Sequence, residues 1–547
     1  MISDLISPRS TEDSIKAHLR YYYGQLKSNN EFKVASLFHT YLLSHPSLHK
    51  LVNAQETDVS ALSYAIPRLP PCIYLVKNII IAQSTDQLDE ANIDISSWEV
   101  QSASARRRRN YFDSKTSTLI VMINSESDID DFISCLIAFQ IERLKISKLN
   151  SDDIDDVSHL GLNAEDWSKY VGLLSPNKSE NFKNYCQYKD ITIRSLQLDN
   201  KFTQDEVSKW YQNLSTSSLV FDFEDTPVYF ISSNLHSLSN LIGGFVNHKQ
   251  DGIISHIEKK YPALYQQWLD IKNGHNNLRV IDFLYYISGK YFKDLSNEST
   301  AKLIYEESLG IKSLRIKTQL PCITQLIPVS AIARSQYKDP NLNIKNPQAL
   351  LNSKAYILNI EYPLGLLAYF IMQQMLKELK QLKGVYIIGK AAMLTSEIGD
   401  ILIPNVVFDE RLNNVFHPKN VFNEYFPFTA YQTAILKNQK AISVYGTFLE
   451  NEAQLHEYIS SGFNIIEMET GPYLAAIYQK LNEVDKIPQN IVSKLIDLPF
   501  DLGIINYASD NPLSQTLGDS TMSLAGVEPT YLAALTTIQR IIDLESL

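Results

Sequence analysis

Apolar runs, polar turns and stretches with helical spacing follow one another repeatedly along this chain of 547 residues. At 118–123 the run TLIVMI leads into the polar turn NSESD and then into apolar positions at helical spacing. The same order recurs at 226–246, and again where strands 355–360 and 384–388 flank a helix that begins near Pro363. Alternating strands and helices predict an α/β fold with a largely parallel sheet that is covered by helices on both faces.

The first hundred residues favour helices instead, for example TEDSIKAHLRYYYGQLKS, where Ser10 or Thr11 would cap. The polar stretch near 148–159 is interpreted as a linker or as the loop into a helical insertion. These changes of pattern predict three regions, which are a helix-rich region at 1–115, an α/β region with a helical insertion at 116–310, and a third region at 311–547.

The composition is that of a globular protein, with 44% hydrophobic and 20% charged residues and a net charge of −11. The negative charge argues against nucleic acid and against an anionic membrane as partners. The one basic run, Arg106–Arg109, is interpreted as a solvated loop rather than a binding patch. No apolar run reaches the ~18 residues of a membrane span and no apolar signal segment opens the chain, so we expect a cytoplasmic protein.

Cysteine and histidine are dispersed along the chain. The four cysteines, Cys72, Cys135, Cys186 and Cys322, form neither a CxxC pair nor a cluster with histidine. This spacing predicts neither a disulfide framework nor a zinc site, and we expect no metal cofactor.

Two glutamates stand at the end of a predicted strand in NIIEMETGPYLAA, residues 464–476. An ionised carboxylate accepts hydrogen bonds at both oxygens and can take the two neighbouring hydroxyls of a ribose. Glu469 is therefore a candidate ribose ligand, with Glu467 beside it and Met468 packing a soft apolar face against the sugar. The alternative is that both glutamates begin a helix, whose positive end favours acids.

A second candidate lies in GIINYASDNPL, residues 503–513, which is apolar up to Ser509 and Asp510. Ligands of α/β sheets bind beyond the carboxyl ends of the strands. A carboxyl group shielded from water can protonate a leaving group, which suits Asp510 to the cleavage of a glycosidic bond. Alternatively, Asp510 caps a helix or forms an Asx turn before Pro512.

A third candidate segment is YIIGKAAML, residues 386–394, where a predicted strand ends in glycine and lysine. Gly389 would let a ligand approach the backbone closely, and Lys390 would neutralise an anion. A tight turn into a helix explains the same two residues equally well.

Taken together and in this order, these segments resemble the nucleoside phosphorylase and nucleosidase superfamily over residues 355–547. EMET is similar to its Glu-Met-Glu ribose motif, and GDILIP, Gly399–Pro404, to its Gly-Asp-hydrophobic-Ile-Pro strand. ASDNPL is similar to the Ser-Asp motif of AMP nucleosidases. The resemblance implies a C-terminal domain with a central mixed sheet flanked by helices, here preceded by a helix-rich and α/β N-terminal region. It also implies a homo-oligomer, at least a dimer.

The resemblance implies a role for individual residues. Glu469 would bind the ribose hydroxyls, Met468 would pack on the sugar, and Asp510, next to Ser509, would contact and protonate a purine. Phe448 lies about where relatives place the aromatic ring that stacks on the base, although a phenylalanine of the core is the alternative.

One motif departs from the family. Phosphorylases usually carry Gly-Ser/Thr-x-Gly where this chain has Gly389–Ala392, so the hydroxyl and the second glycine that help to cradle inorganic phosphate are missing. Either water is then the nucleophile, or Lys390 holds an anion such as a 5′-phosphate. Arg334 and His236 are further candidate anion ligands, with a solvated arginine and a helix-capping histidine as the alternatives.

Three functions therefore stay open, all with a purine nucleoside or nucleotide as partner. The leading hypothesis is a nucleosidase that cleaves the N-glycosidic bond with Glu469 and Asp510. The second is a phosphorylase, with inorganic phosphate as co-substrate held by Lys390 and Arg334. The third is a nucleotide-binding or sensing module without catalysis.

Overall fold

Two β-sheets and their helices organise the chain in the computed structural model. The predicted linker or helical insertion beyond residue 148 lies outside the described residues, as does Cys186. The structure describes residues 9–28, 30–148, 188–199, 201–217, 225–275, 278–316, 318–320, 322–428, 431, 433–513 and 526–547.

The first sheet has six strands within the described residues. They are β1 Phe32–Lys33, β2 Asn78–Ala82, β3 Glu99–Gln101, β4 Asn110–Asp113, β5 Thr118–Met122 and β6 Thr192–Ser195. Their order is β1-β6-β2-β5-β4-β3, with β6, β2 and β5 parallel and the outer pairs antiparallel. The helices of this region are α1 Arg9–Lys27, α2 Phe38–Ser44, α3 Val59–Ala65, α4 Thr85–Glu90 and α5 Glu126–Ser147.

The second sheet has eleven strands in the part of the chain that the structure describes. They are β7 Val228–Ser233, β8 Lys312–Arg315, β9 Ile323–Pro328, β10 Tyr356–Glu361, β11 Leu382–Met393, β12 Ile401–Asp409, β13 Asn414–Pro418, β14 Ile435–Ser443, β15 Ile465–Glu467, β16 Val492–Leu495 and β17 Asp501–Asp510. Their order is β16-β13-β12-β14-β15-β11-β7-β10-β9-β8, and β17 pairs with both β11 and β12. Strands β12, β14, β15, β11 and β17 therefore close into a ring.

Both parallel and antiparallel pairs occur in this second sheet, so it is mixed rather than largely parallel. None of the described helices combines the length and the apolar character needed to cross a membrane. The helices of the second region are α6 Phe202–Ser217, α7 Leu235–Gly243, α8 Phe245–His248, α9 Gln250–Lys260, α10 Pro262–Lys272, α11 Val280–Asp294, α12 Ser296–Ser308, α13 Ser330–Arg334, α14 Pro347–Asn352, α15 Leu367–Glu378, α16 Glu452–Ser460, α17 Thr470–Leu481 and α18 Val527–Glu545.

Strand alternation builds two apolar cores, one on each face of the second sheet. Along β7, Tyr229 and Ile231 pack with side chains of α7 and α18, whereas Val228 and Phe230 pack with side chains of α15 and α17. Successive side chains of a strand point to opposite faces, so one buried strand serves both cores. The fold is therefore α/β, with helices covering both faces of the central sheet.

The strand–loop–helix units predicted from the sequence are confirmed, with two differences in their bounds. β5 is followed by α5, whose first turn is capped by the Ser125 side chain. The helix expected near Pro363 begins at Leu367, because Gly365 has a φ of +51° and interrupts a helical start. The strand expected at 384–388 is longer, since β11 stays paired with β17 up to Ala392.

Pairing changes from the first sheet to the second between Ser195 and Val228. β4 and β5 form a hairpin across the expected boundary at 115/116. Side chains from several of the helices between residues 235 and 308 belong to a core of the second sheet. From this pairing we propose that the chain divides between residues 195 and 228.

The two regions are joined by buried contacts. Phe448 and Leu449 of the second region belong to the apolar core of the first. Arg411 donates hydrogen bonds to Asp130 at 2.7 Å and to Ser127 at 2.9 Å, both on α5. Removing one partner would leave the other charge buried and unpaired, which typically costs about 3–5 kcal/mol.

Candidate active site

A cavity of about 630 Å³ opens between the two regions, beside the carboxyl ends of β10 and β17. Its volume is typical of a site for a small molecule. Residues 104–108 of the first region form one wall, and segments of the second sheet form the other. Seven of the ten predicted site residues line it, namely Gly389, Lys390, Glu467, Met468, Glu469, Ser509 and Asp510.

Glu467 is a buried carboxylate whose hydrogen bonds hold the start of α17. Its Oε2 accepts from the N–H groups of Glu469 at 2.7 Å and Thr470 at 2.5 Å, and its Oε1 accepts from the hydroxyl of Ser443. The first N–H groups of a helix have no partner within the helix, so Glu467 satisfies them. Burial raises the pKa of Glu467, although these hydrogen bonds oppose the rise. The helix-start alternative thus describes the contacts of Glu467.

Glu469 also lines the cavity, but it differs from Glu467 because its side chain makes no cap hydrogen bond. Its Oε1 accepts from the N–H of Gly365 at 3.1 Å, and no side chain of a described residue hydrogen-bonds to it. Burial and then the charge of Glu467 raise the pKa of Glu469 to about 7. Glu469 therefore changes its charge near neutral pH while its carboxyl group faces a ligand-sized space.

Gly365 joins Glu469 to the first region. Its φ is +51°, and a Cβ at this position would lie 2.3 Å from the Oγ of Ser127 at the start of α5. Only glycine fits such a backbone and such a close approach. Leu366 donates its N–H to the same Oγ at 2.9 Å. The start of α5 therefore positions the turn whose N–H binds Glu469.

β17 carries a bulge next to the cavity. Ala391 pairs with Ala508 and Ala392 with Asp510, so Ser509 is the extra residue. Neighbouring residues of a regular strand point to opposite faces, whereas a bulge redirects a side chain. Because of the bulge, Ser509 and Asp510 both line the cavity.

The hydroxyl of Ser509 orients Asp510. It donates to Oδ2 of Asp510 at 2.8 Å and lies 3.2 Å from the carbonyl oxygen of Ala391. The Asx turn expected as an alternative role of Asp510 is made by Asn511, whose Oδ1 accepts from the N–H of Leu513 at 2.9 Å. Among the described residues, no cap or turn therefore engages the carboxyl group of Asp510, which lines the cavity.

Gly389 and Lys390 lie within β11, and the turn expected after residue 388 is wrong. Gly389 pairs with Asn506 and Lys390 with Tyr507, so ladder pairing continues through this dipeptide. Lys390 has no hydrogen bond or ion pair with the described residues, and its side chain is accessible inside the cavity. Enclosure by the cavity walls lowers the pKa of Lys390, Asp510 opposes this shift, and Arg68 adds to it.

Of the basic run Arg106–Arg109, expected as a solvated loop, the first three arginines line the opposite wall of the cavity instead, whereas Arg109 is exposed. Arg106 donates to both carboxylate oxygens of Asp131, at 2.9 and 2.7 Å. Arg108 is buried and donates to Asp128 at 2.7 Å and to Asp131 at 2.8 Å. Burial acts to raise the pKa of Asp131, but the two guanidinium groups overcome it and hold that pKa well below its usual range. These arginines are ordered by ion pairs with α5.

Tyr64 and Arg68 complete this wall. The guanidinium carbon of Arg68 lies 3.4 Å from the ring centroid of Tyr64, and Nη1 donates to the Tyr64 carbonyl oxygen at 2.7 Å. The hydroxyl of Tyr64 donates to Thr447 at 2.6 Å, across the junction. The Nε of Arg68 is buried without a hydrogen-bond partner, and no described carboxylate pairs with this side chain.

Two further residues of the second region line the cavity without having been expected there. The ring of Tyr362 covers Gly389, since a Cβ on that glycine would lie 3.7 Å from Tyr362 Cε1. Glu450 is only 2% exposed, and burial followed by the charge of Glu410 raises its pKa well above the usual range. Tyr362 offers an aromatic surface to a ligand, and burial disfavours the charged form of Glu450.

Phe448 lies in a core and does not line the cavity. It is 2% exposed and packs edge-on against Tyr64, with ring centroids 5.2 Å apart. The core alternative therefore describes its position, because Phe448 and Leu449 belong to the apolar core of the first region and Tyr445 packs against it. Phe448 supports the ring of Tyr64 from behind rather than meeting a ligand.

Arg334 and His236 also lie away from the cavity lining. The Nη2 of Arg334 donates to the carbonyl oxygen of Leu309 at 2.6 Å. The Nδ1 of His236 lies 3.1 Å from the hydroxyl of Tyr531, and Asn234 is the residue that caps α7. The structure thus does not bring these two candidates together with the others.

No metal-binding cluster of histidine, cysteine, aspartate or glutamate occurs among the described residues. Cys322 lines the cavity, but burial raises the pKa of its thiol to about 12, so it is not a thiolate at neutral pH. The cavity offers a ligand carboxyl groups as acceptors, aromatic rings, and two cations, Arg68 and Lys390, that form no ion pair with the described residues. Such a set can bind hydroxyl groups, a planar base and an anion at once.

Sequence reasoning missed the wall that Tyr64, Arg68 and the arginine run provide. One signal points to part of it, since Asp128 and Asp131 shortly precede residues 132–139 of the same helix, which are apolar except for Ser134. Carboxylates that are buried with such a helix require cationic partners. The nearest cluster of cations in the sequence is the arginine run itself.

A family model described as Family of unknown function (DUF6909) matches residues 34–543. No curated protein sequence matches the chain. The residues matched by the family model include every described strand of both sheets except β1.

Solved structures that resemble the chain carry the names of nucleosidases and phosphorylases. An S-adenosylhomocysteine nucleosidase from Streptococcus pyogenes is 8% identical, covers 58% of this chain and 97% of its own, and has a TM-score of 0.30. A 5′-methylthioadenosine/S-adenosylhomocysteine nucleosidase from Colwellia psychrerythraea is 12% identical, covers 43% of this chain and 89% of its own, and has a TM-score of 0.30. A uridine phosphorylase from Schistosoma mansoni is 9% identical, covers 58% of this chain and 91% of its own, and has a TM-score of 0.30.

Proposed function

Since this chain belongs to the Family of unknown function (DUF6909), we propose its function from its cavity: it cleaves the N-glycosidic bond of a purine nucleoside or nucleotide. The observation that carries the proposal is that Glu469, Met468 and Asp510 line one cavity although they come from separate segments. These are the residues whose motifs resemble the ribose and base motifs of nucleosidases.

The cavity suits a nucleoside in one orientation. The ionised carboxylate of Glu469 accepts hydrogen bonds from the two ribose hydroxyls, and Met468 packs against the sugar. Asp510, held by the hydroxyl of Ser509, contacts the base. The ring of Tyr362 provides a stacking surface, and such contacts contribute about 0.5–1.5 kcal/mol beyond area burial.

The chemistry then needs one proton donor and one nucleophile. As the C–N bond breaks, its electron pair stays with the base, and Asp510 protonates the base. A water molecule forms the new C–O bond at the anomeric carbon and gives up a proton, which restores Asp510. The sugar passes through an oxocarbenium-like state, and hydrogen bonds from its hydroxyls to Glu469 stabilise the developing charge.

Phosphorolysis is the second candidate, and Lys390 is the observation that favours it. This cation reaches the cavity without a partner among the described residues. Inorganic phosphate held there would replace water as nucleophile and yield a sugar 1-phosphate. The two candidates differ only in whether base release requires phosphate.

The test is chromatography of free bases after incubation of the purified protein with AMP, adenosine, inosine and guanosine, each with and without phosphate. We expect base release, and a fall of about 10²- to 10⁴-fold in rate for Asp510→Asn. Release without phosphate means hydrolysis, and release only with phosphate means phosphorolysis.

The control is Asp497→Asn, which changes an exposed aspartate shortly before β17 and should keep the wild-type rate. Undiminished cleavage by Asp510→Asn would remove the mechanism. Tight binding of AMP or adenosine with no release under any condition would favour the third function, a nucleotide-binding module.

A further inference from the structure

Two cations of the cavity have no carboxylate partner in the described part of the chain. Arg68 uses one donor for the carbonyl oxygen of Tyr64, whereas its Nε is buried without an acceptor. Lys390 has neither a hydrogen bond nor an ion pair there. The first cation comes from the segment after α3, and the second from β11, so the two regions each supply one.

The remaining cations of the cavity are paired. Arg106 and Arg108 bind the aspartates of α5, as described above. Arg107 forms an ion pair with Glu361 at 2.6 Å, which also joins the two regions. The unpaired positive charge is therefore localised at Arg68 and Lys390.

The carboxyl groups nearby form no ion pair with either cation within the described part of the chain. Glu467 is engaged with the start of α17, and burial raises the pKa of Glu450, which disfavours its charged form. Asp510 is the acid that acts on Lys390, while Arg68 and Arg106 repel that lysine. Enclosing like charges without a counter-ion is unfavourable, and a bound anion would remove the cost.

We propose that Arg68 and Lys390 form a subsite for a phosphate group at the junction of the two regions. A guanidinium group and an ammonium group together match the several acceptor oxygens of a phosphate. The subsite does not use a glycine loop, since Gly389–Ala392 is strand, and it takes one ligand from outside the second sheet. The identity of the phosphate rests on the proposed function. It is either the 5′-phosphate of a nucleotide substrate or free phosphate that attacks the anomeric carbon.

The experiment measures binding rather than turnover. The full chain is titrated calorimetrically with inorganic phosphate, with ribose 5-phosphate and with ribose, none of which has a glycosidic bond to a base. We expect both phosphates to bind, and Arg68→Gln and Lys390→Gln each to weaken that binding by about tenfold or more. Arg68→Lys keeps the charge and should recover part of the affinity.

Two control variants remove a cation elsewhere. Lys383→Gln lies on the same strand as Lys390 and pairs with Glu545, and Arg194→Gln is exposed on β6 of the first sheet. Both should bind phosphate as the wild type does. Thermal unfolding checks each variant. Lys390→Gln removes no side-chain hydrogen bond or ion pair of the described residues, so it remains informative if Arg68→Gln does not fold.

The three ligands also separate the two sources of phosphate. The subsite is assigned to a 5′-phosphate if ribose 5-phosphate binds at least tenfold more tightly than ribose and if inorganic phosphate displaces it. Inorganic phosphate that binds together with ribose assigns it to free phosphate. The subsite is overturned if the wild-type protein does not bind phosphate, or if Arg68→Gln and Lys390→Gln both bind phosphate as tightly as the wild type does. A protein that binds phosphate but releases no base would retain the subsite and lose the proposed function.

Discussion

In the wall of the cavity that the first region supplies, the charges of Arg106, Arg107 and Arg108 are already paired, whereas the wall from the second sheet carries acids that face the ligand space. Arg106 and Arg108 are fixed by Asp131 and Asp128, and their geometry is set before any ligand arrives. Glu469 and Asp510 each make one hydrogen bond that orients the carboxyl group. Paired charges therefore shape the cavity, and the less engaged groups are the ones available for chemistry.

The same contrast occurs within the EMET segment. Glu467 and Glu469 are two residues apart. Both carboxylate oxygens of Glu467 accept hydrogen bonds from Ser443 or from the start of α17, whereas Glu469 accepts one from the backbone N–H of Gly365 and none from a side chain of the described residues. Burial alone does not distinguish them, because it raises the pKa of both. Hydrogen-bond partners decide which of two neighbouring acids can bind a substrate.

The largest expected effect concerns the paired wall. Asp131→Asn removes the charge that Arg106 and Arg108 share, and it leaves buried guanidinium groups undercompensated. The free energy of unfolding should fall by about 3–5 kcal/mol, measured by urea unfolding. Asp89→Asn changes an exposed residue of α4 and should stay within about 0.5 kcal/mol of wild type. Equal stability of the two variants would mean that these ion pairs do not hold the wall.

The second prediction concerns the acid wall and its dependence on pH. The pKa of Glu469 is raised to about 7, so the carboxylate that accepts the ribose hydroxyls forms as the pH rises through that value. With the nucleoside that the protein cleaves, kcat/KM should increase about tenfold between pH 6 and pH 8.

The matched variant for this profile is Glu469→Gln, which cannot ionise. It should lower kcat/KM at pH 8 by about ten- to a hundredfold and flatten the rise attributed to this carboxyl group. Glu452→Gln changes an exposed glutamate of α16 and should leave both the rate and the profile unchanged. A rise of the same size in Glu469→Gln would assign the ionisation to another group.

The smallest expected effect separates a core aromatic from a cavity aromatic. Phe448→Leu should lower the free energy of unfolding by about 1 kcal/mol, because Phe448 packs in the core of the first region. Its base release should stay within about twofold of wild type. Tyr362→Leu is the comparison variant, since Tyr362 lines the cavity, and it should mainly raise KM. Loss of base release by Phe448→Leu at full stability would instead place Phe448 at the substrate.

The acid wall could be predicted from the sequence because its residues lie in short contiguous segments. In EMET and in ASDNPL, a strand pattern and its polar end are adjacent, so the local pattern already indicates the site. The strand–loop–helix units were predictable for the same reason, since a period of two changes to a helical period at a polar turn.

The paired wall could not be predicted in this way, because its contacts are distant in sequence. Arg106 and Asp131 are 25 residues apart, and Arg68 meets the cavity of Lys390 only through packing of the two regions. Gly389 and Lys390 have the composition of a turn, and only long pairing with β17 keeps them in a strand. Long-range pairing and packing overrode the local pattern at each of these positions.

The central claim is that both walls hold one ligand, and a crystal structure of the protein with adenine and ribose 5-phosphate tests it most directly. We predict ribose hydroxyls on the carboxylate of Glu469, adenine beside Asp510, and the phosphate between Arg68 and Lys390. Density for either compound at another place on the protein, with this cavity empty, would contradict the account.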